Sequence, residues 1–272
     1  MTRSTAPIRV QGSLGDIGRA VIDLHCHILP GLDDGARDLD DSLAMARQAE
    51  RDGIAAVCAT PHIRHDHNVR IEEIVARVDS LQAHLDAEGI GVRVLPGGEL
   101  AQTQADDLSD TQLRAVALGG DGGSRGEARG AGGAGGWILL EPAPGPLGDG
   151  LNEVVQRLTR RGLRTVIAHP ERHAGADFSE RLRRLADDGA LIQWTAEFIA
   201  ESEPEGFVMG LARDGLVDLL GSDAHSSHAG RPVALAAGFT HLATVRSAEQ
   251  IAWSAEVAPQ AIVRGEPVTH LP

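Results

Sequence analysis

The sequence predicts an α/β fold built as a parallel barrel, on three observations. Seven short apolar runs alternate with segments of helical periodicity, the pattern of β–α units whose strands pair in parallel. Six of the seven runs end in His, Glu or Asp: His25 and His27, His62, Glu99, Glu141, His169, and Asp223 with His225. In a parallel barrel the C-terminal strand ends share one face, so these side chains would converge. Chance placement would scatter them along strands and helices. The length of 272 residues suits about two typical domains, but barrels of this size are routinely one.

Residues 1–20 read as a loose extension, without the apolar core of about 7–15 residues that a secretory signal needs. From Val21 to His27, apolar residues interleave with Asp23, His25 and His27 at period two. A strand with that pattern turns all three polar side chains to one face. Two imidazoles so placed can share a metal ion; alone, they fit two satisfied core histidines equally well. A helix follows over 38–51, with Leu39, Leu43, Ala46 and Ala49 on one stripe. A buried-type strand over 54–60 runs into Pro61-His62. Helix 71–88 keeps Ile71, Ile74, Val78, Leu81 and Leu85 in phase and stops at Gly89. A strand over 92–100 passes Gly97-Gly98-Glu99, and a short helical piece covers 107–116.

Segment 119–136 breaks the pattern, since ten of its eighteen residues are Gly and no apolar period is present. It cannot bury enough surface to order itself, so it reads as a flexible insert in a loop. It is not a phosphate cradle, because the Gly-Lys-Ser/Thr ending is missing. Strand 137–140 then ends at Glu141-Pro142, and a helix covers 151–161. Strand 163–168 ends at His169-Pro170-Glu171-Arg172, followed by helix 178–188, strand 190–195 and helix 206–213. The last strand, 216–221, ends at Ser222-Asp223-Ala224-His225, and 233–264 looks mostly helical.

The net charge of −14 excludes a nucleic-acid surface. All 25 basic residues are Arg. Without Lys there is neither a Schiff base nor a carbamylated-lysine bridge between metals. Cys26 and Cys58 are the only cysteines, which argues against a disulfide framework. No apolar run reaches the roughly 18 residues of a membrane span, so no membrane insertion is expected and the cytoplasm is the default location.

Five imidazoles (His25, His27, His62, His169, His225) and four carboxylates (Asp34, Glu99, Glu141, Asp223) stand at or near strand ends. Mixed nitrogen and oxygen ligation suits Mn, Fe or Zn better than Ca or Mg. Nine ligands exceed the needs of one ion, so two to three ions bridged by carboxylates are expected. Such a cluster stays net positive and suits a phosphate dianion. Cys58-x5-Arg64 formally matches the cysteine-dependent tyrosine phosphatases. Pro61 deletes an N–H which that loop needs, and Cys58 sits inside an apolar strand, so it reads as a small buried hydrophobe. His65, His67, His173 and His228 read as surface or supporting residues.

Together, His25-Cys26-His27-Ile28-Leu29-Pro30 with Asp33-Asp34-Gly35, Ala59-Thr60-Pro61-His62, Gly98-Glu99, Leu140-Glu141, Ile167-Ala168-His169-Pro170-Glu171-Arg172 and Ser222-Asp223-Ala224-His225 resemble the polymerase-and-histidinol-phosphatase (PHP) superfamily. Within it they resemble the bacterial manganese-dependent tyrosine phosphatases linked to capsule and exopolysaccharide synthesis. The likeness covers residues 21–264 and implies a distorted (β/α)7 barrel, with 21–272 as one phosphoesterase domain. It also implies a trinuclear centre and phosphotyrosine hydrolysis through a metal-bridging hydroxide. Carried over by position, His25, His27, Glu99 and Asp223 would hold one ion, and Glu99, Glu141 and His169 a second. Asp34, His62 and His225 would hold the third, with Arg172 and Arg231 on the phosphate. The implied partner is a phosphotyrosine protein such as a bacterial tyrosine kinase, with a homo-oligomer left open. Two departures bear on substrate choice: the insert is longer than the family pattern, and Gln193-Trp194-Thr195-Ala196-Glu197 lacks the usual small polar run. The alternatives are a histidinol-phosphate or other small-molecule phosphatase, and a non-catalytic barrel that regulates a polysaccharide-assembly kinase by binding.

Overall fold

The structure, a computed structural model, describes residues 20–120 and 135–268. The extension read over 1–20 therefore lies, apart from Ala20, outside the described residues, as do residues 121–134 of the insert.

Among the described residues nine strands form: β1 Val21–Cys26, β2 Ile54–Ala59, β3 His62–Ile63, β4 Arg93–Pro96, β5 Glu99–Ala101, β6 Trp137–Glu141, β7 Arg164–Ile167, β8 Leu191–Thr195 and β9 Leu219–Gly221. Every ladder is parallel, in the orders β1-β2-β4 and β3-β5-β6-β7-β8-β9. β2 and β3 are one path broken at Thr60-Pro61, and β4 and β5 are one path broken at Gly97-Gly98. Nine strands thus make seven staves. The ring closes between β9 and β1, where Cys26 bridges Ala224. There the His27 N–H donates to Ala224 O (2.9 Å) and the Asp223 N–H to His25 O (2.8 Å). This is the expected distorted seven-stave barrel.

The sequence shows each broken stave as one continuous strand, because apolar content runs through the breaks. Pro61 has no N–H for the ladder. Thr60 N–H instead donates to Cys26 O (3.0 Å), and Glu99 N–H to Pro61 O (3.0 Å). The chain kinks there and aims His62 and Glu99 inward.

The helices are α1 Leu39–Asp52, α2 Ile74–Ala87, α3 Asp110–Ala115, α4 Asp149–Arg160, α5 Phe178–Asp187, α6 Ala196–Ala200, α7 Phe207–Arg213, α8 Ala236–Leu242, α9 Ala248–Ala252 and α10 Ala258–Val263. α1 begins where the Asp38 carboxylate accepts the Asp41 N–H and ends at Gly53 in the left-handed region. α4 shows how these helices dock: Leu151, Val154, Val155 and Leu158 are buried, while Arg157 and Arg160 face out. Each such side chain contributes about 1.5–3 kcal/mol by leaving water. A 3-10 turn, Ile71–Glu73, precedes α2, so the regular helix starts three residues later than its periodicity indicates. α6 was not apparent from the sequence; its five residues are too few to show a period. The expected helical stretch 233–264 resolves into α8, α9, a π turn over Trp253–Val257 and α10. No helix among the described residues is long and apolar enough to cross a membrane.

Candidate metal centre

β1 delivers the first pair of imidazoles. The His25 Nδ1 sits 2.9 Å from Gln193 Oε1, and His27 Nδ1 sits 2.8 Å from Asp33 Oδ2. A carboxylate only accepts, so Nδ1 of His27 holds its proton and the neutral ring would offer the Nε2 lone pair to a metal; the amide oxygen of Gln193 does the same for His25. The two Nε2 atoms lie 3.4 Å apart, and each approaches Glu99 Oε2, at 3.4 and 3.3 Å. Asp223 Oδ1 is 3.4 Å from His25 Nε2 and 3.7 Å from His27 Nε2.

Two glycines make room for this packing. A Cβ on Gly35 would lie 2.2 Å from His27 O, so only glycine lets the Asp33–Gly35 turn close over His27. A Cβ on Gly221 would stand 2.8 Å from His25 Cβ and 2.6 Å from Gln193 Nε2.

His169 and Asp223 stand two residues past the ends of β7 and β9, with φ of 29° and 48°, the only positive φ values outside glycine among the described residues. Such conformations cost about 1–3 kcal/mol each and cluster at functional sites. Here they turn both side chains inward: His169 Nε2 lies 2.7 Å from Glu99 Oε1.

The remaining ligand candidates lie toward the mouth. Asp34 Oδ1 is 3.4 Å from His62 Nε2 and 3.6 Å from His225 Nε2. The His225 ring stacks on His27 at 3.9 Å, and His62 Nδ1 lies 2.9 Å from Glu99 Oε2 and 4.0 Å from Glu141 Oε2. All nine expected residues therefore converge. Sets with mutually close ligand atoms are His27, Asp34, His62 and His225; His25, His27 and Glu99; His25, His169 and Asp223; and His62, Glu99 and Glu141. The first, third and fourth place His27, His169 and His62 differently from the expected partition.

The chemistry of this donor set fits transition-metal ions. His169 Nδ1 is buried without a hydrogen-bond partner, and Glu99 Oε2 and His62 Nδ1, though 2.9 Å apart, are buried without the alignment of a hydrogen bond. A buried polar atom left so costs about 1–3 kcal/mol. Burial disfavours the charged forms, but neighbouring charges prevail at most positions. The Asp33 and Glu99 carboxylates push His27 up to about 10 against its burial. Burial would raise Asp223, yet His25 and its neighbours hold it down to about 2; Glu99 lies well below the usual carboxylate range for the same reason. Burial and the adjacent His27 lower His225 to about 4. At neutral pH Glu99 and Asp223 are ionised and His225 is neutral, as ligation requires, and binding at His25 and His27 would release protons.

The two arginines converge on Asp223 in this structure. Arg172 Nη2 donates to Asp223 Oδ2. Arg231 Nη2 donates to Asp223 Oδ2 (2.8 Å) and to its carbonyl (2.8 Å), joined by Nε (3.0 Å). Four contributors escaped sequence reasoning. Asp33 holds His27, although its signal was present in the Asp33-Asp34 doublet. Gln193 holds His25, signalled by one amide in an apolar strand. Asp41 accepts from Ser227 N (2.8 Å) and Oγ (2.6 Å), steadying the loop after His225. Arg64 Nη1 lies 3.4 Å from both Glu141 oxygens. Both cysteines are fully buried, and burial pushes both thiols up, so neither is a thiolate nucleophile.

A parallel seven-stave barrel that gathers imidazoles and carboxylates at its strand ends defines a metal-binding hydrolase scaffold. The chain belongs to the capsular polysaccharide synthesis family CpsB/CapC, whose profile matches residues 21–120 and 132–251. It is 32% identical over 223 residues to the tyrosine-protein phosphatase YwqE of Bacillus subtilis, covering 76% of this chain and 78% of that one. A solved chain from the study of YwqE and of CpsB from Streptococcus pneumoniae, described as metal-dependent tyrosine phosphatases, superposes with a TM-score of 0.74 at 26% identity. That match covers 92% of this chain and 97% of the other. The Listeria monocytogenes lactonase Lmo2620 shares the fold alone, with a TM-score of 0.54 at 14% identity over 90% of this chain and 94% of that one.

Proposed function

We propose that the chain is a metal-dependent protein-tyrosine phosphatase, with residues 21–272 as one phosphoesterase domain. The observation that carries this reading is Glu99. One fully buried carboxylate lies 2.7 Å from His169, 2.9 Å from His62, 3.3 Å from His27 and 3.4 Å from His25. A carboxylate within reach of four imidazoles is built to bridge ions. His25, His27, Asp34, His62, Glu99, Glu141, His169, Asp223 and His225 would hold two to three ions, with Mn as our choice and Fe or Zn compatible. Bound ions would supply Lewis acidity and an activated water. The chain's own residues do the rest. Asp33 and Gln193 fix the tautomers of His27 and His25. Arg172 and Arg231, part-exposed at the mouth, offer planar donor forks to the outer phosphate oxygens. The substrate we infer is a phosphotyrosine protein such as a bacterial tyrosine kinase, met in the cytoplasm.

Metal analysis coupled to a substrate panel tests this. Active protein should hold more than one equivalent of transition metal, and strong chelation should abolish turnover. His25→Ala and Asp223→Ala should each lose activity by orders of magnitude. Full activity with one equivalent or less sinks the multinuclear reading. Turnover of histidinol phosphate in preference to phosphotyrosine peptides would move the assignment to the small-molecule phosphatases.

A further inference from the structure

Three of the chain's four phenylalanines stand in one row of rings. Phe207 packs on Phe178 with centroids 6.4 Å apart, Phe178 meets Trp194 edge-on at 6.1 Å, and Trp194 stacks on Phe198 at 6.0 Å. Phe178 and Trp194 are buried and anchor the row, while Phe207 and Phe198 stay 62% and 41% exposed. Among the described residues only Val257, on the π turn, is another exposed large hydrophobic. One exposed apolar residue needs no explanation, but two rings held out from a common anchor form an apolar face.

The row lies at the mouth of the barrel. Phe178 opens α5, Phe207 opens α7, and α6 follows β8 without a loop. In a parallel barrel the segments that leave a strand's C-terminal end start on the mouth side. The N–H of Thr195, the last residue of β8, donates to Glu171 Oε1 (3.1 Å), the chain neighbour of Arg172. Phe198 stands three residues beyond Thr195.

The face is acidic at its edges. Glu197, Glu201, Glu203 and Glu205 flank the two rings along the chain and are all exposed. Arg213 reaches Glu205 at 3.4 Å; among the described residues the other three glutamates have no ion-pair partner. That charge decides what the face can receive. A second copy of the chain would bring its own net −14 and a matching set of glutamates to the contact. Anionic lipid and nucleic acid are repelled on the same ground. A cationic polypeptide with an apolar side chain meets both halves of the face, since the rings supply contact area and the glutamates supply attraction.

We propose that Phe198, Phe207 and these glutamates form a docking surface for a basic, apolar-bearing stretch of the substrate protein, outside the residues that enter the metal centre. The proposal rests on the phosphotyrosine reading above. Exposed ion pairs are weak and screened by salt, so the surface selects among substrates and adds nothing to the chemical step.

The test measures kcat/KM on phosphotyrosine peptides that carry Arg-Leu-Arg, Arg-Ser-Arg or Glu-Leu-Glu at a series of spacings on either side of the tyrosine. p-Nitrophenyl phosphate serves as a substrate too small to reach the rings. At the best spacing the holoenzyme should favour Arg-Leu-Arg over Glu-Leu-Glu by at least about tenfold, equivalent to roughly 1.4 kcal/mol. Raised salt should shrink that preference. Phe207→Ser should remove the advantage of Leu over Ser, and Glu201→Lys with Glu203→Lys should bring the Arg and Glu peptides to near parity. Metal content and p-nitrophenyl phosphate turnover should hold in both variants. Either variant carries the test if the other fails to fold. Glu88→Lys with Glu153→Lys, an equal charge change on exposed positions of other helices, should leave the preference intact. Equal rates at every spacing, a preference that survives both surface changes, or one lost equally in the Glu88/Glu153 control overturns the docking surface and leaves the phosphatase reading standing. Self-association that Phe207→Ser abolishes would make the face a contact between copies, and a preference that emerges only after removal of residues 1–19 would assign it to the chain's own Arg3, Arg9 and Arg19 segment; both overturn the proposal. Turnover of p-nitrophenyl phosphate without turnover of any phosphotyrosine peptide overturns both readings.

Discussion

At the residue scale, Arg172 and Arg231 carry two roles that an experiment can separate. Both donate to the Asp223 carboxylate, itself a candidate ligand, and both keep part of the guanidinium in solvent. An arginine that only steadies Asp223 controls metal retention. An arginine that meets developing charge on phosphorus controls the transition state. We expect Arg172→Ala and Arg231→Ala to keep full metal content and lose at least tenfold in kcat/KM, roughly 1.4 kcal/mol. Inhibition by inorganic phosphate should weaken in parallel. If metal content falls with activity, the arginines belong to the scaffold of Asp223. Eight of the nine ligand candidates were legible because a strand end in a parallel barrel has a fixed destination, so a His, Asp or Glu there already has a place; Asp34 was legible only through the Asp33-Asp34-Gly35 motif. Asp33 and Gln193 were not, because a side chain that acts through another residue owes its position to contacts that sequence spacing does not encode. Gln193 meets His25 across 168 positions of chain.

At the element scale, the strands were readable in type and order, but the breaks in two staves were not. Hydrophobic content gives burial, whereas a ladder break depends on which neighbour takes each N–H. The loop after β9 was likewise visible only as a Ser-rich run, and its anchor lies on α1. Asp41 accepts from Ser226 and Ser227 and from Arg37 N–H (3.3 Å). Burial opposes its charge, but the Ser227 donors prevail and hold it at about 2. A carboxyl with a lowered folded-state pKa stabilises the fold above its unfolded value near 3.9 and loses that contribution as pH falls through 2. Asp41→Asn should therefore cost on the order of 2 kcal/mol at neutral pH, the scale of a charge-assisted hydrogen bond. In thermal or urea unfolding followed from pH 7 to pH 2, the gap between variant and wild type should close below about pH 4. A gap that stays constant to pH 2 would show that the Asp41 charge contributes nothing. The variant's kcat/KM should fall as well, because the same loop presents His225 and Arg231.

At the scale of the whole molecule, the barrel separates chemistry from variation along its axis. Strand ends carry the candidate ligands, and strand starts carry the stems of the Gly-rich insert. Leu118 N–H donates to Trp137 O (2.9 Å), and Arg164 N–H to Gly136 O (3.0 Å). The Trp137 indole N–H donates to Glu266 O (2.8 Å), and Arg164 reaches Gly135 O (2.7 Å). These bonds pin residues 118 and 137 together at the beginning of β6. Glu141 stands four residues further along that strand, roughly 13 Å away at the usual rise. The family profile passes over 121–131 while matching what lies on either side. Replacing 121–134 by a short Gly-Ser linker should therefore leave kcat/KM unchanged on p-nitrophenyl phosphate and on phosphotyrosine peptides alike. Stability should shift by no more than about 1 kcal/mol, since each halving of a loop changes its closure cost by only about 0.6 kcal/mol. Steady-state kinetics and a urea unfolding curve on the shortened chain decide it. A variant that folds but loses turnover on protein substrates alone would make the insert a substrate-facing element that reaches round from the far end of the barrel; one that fails to fold would make it part of the packed structure.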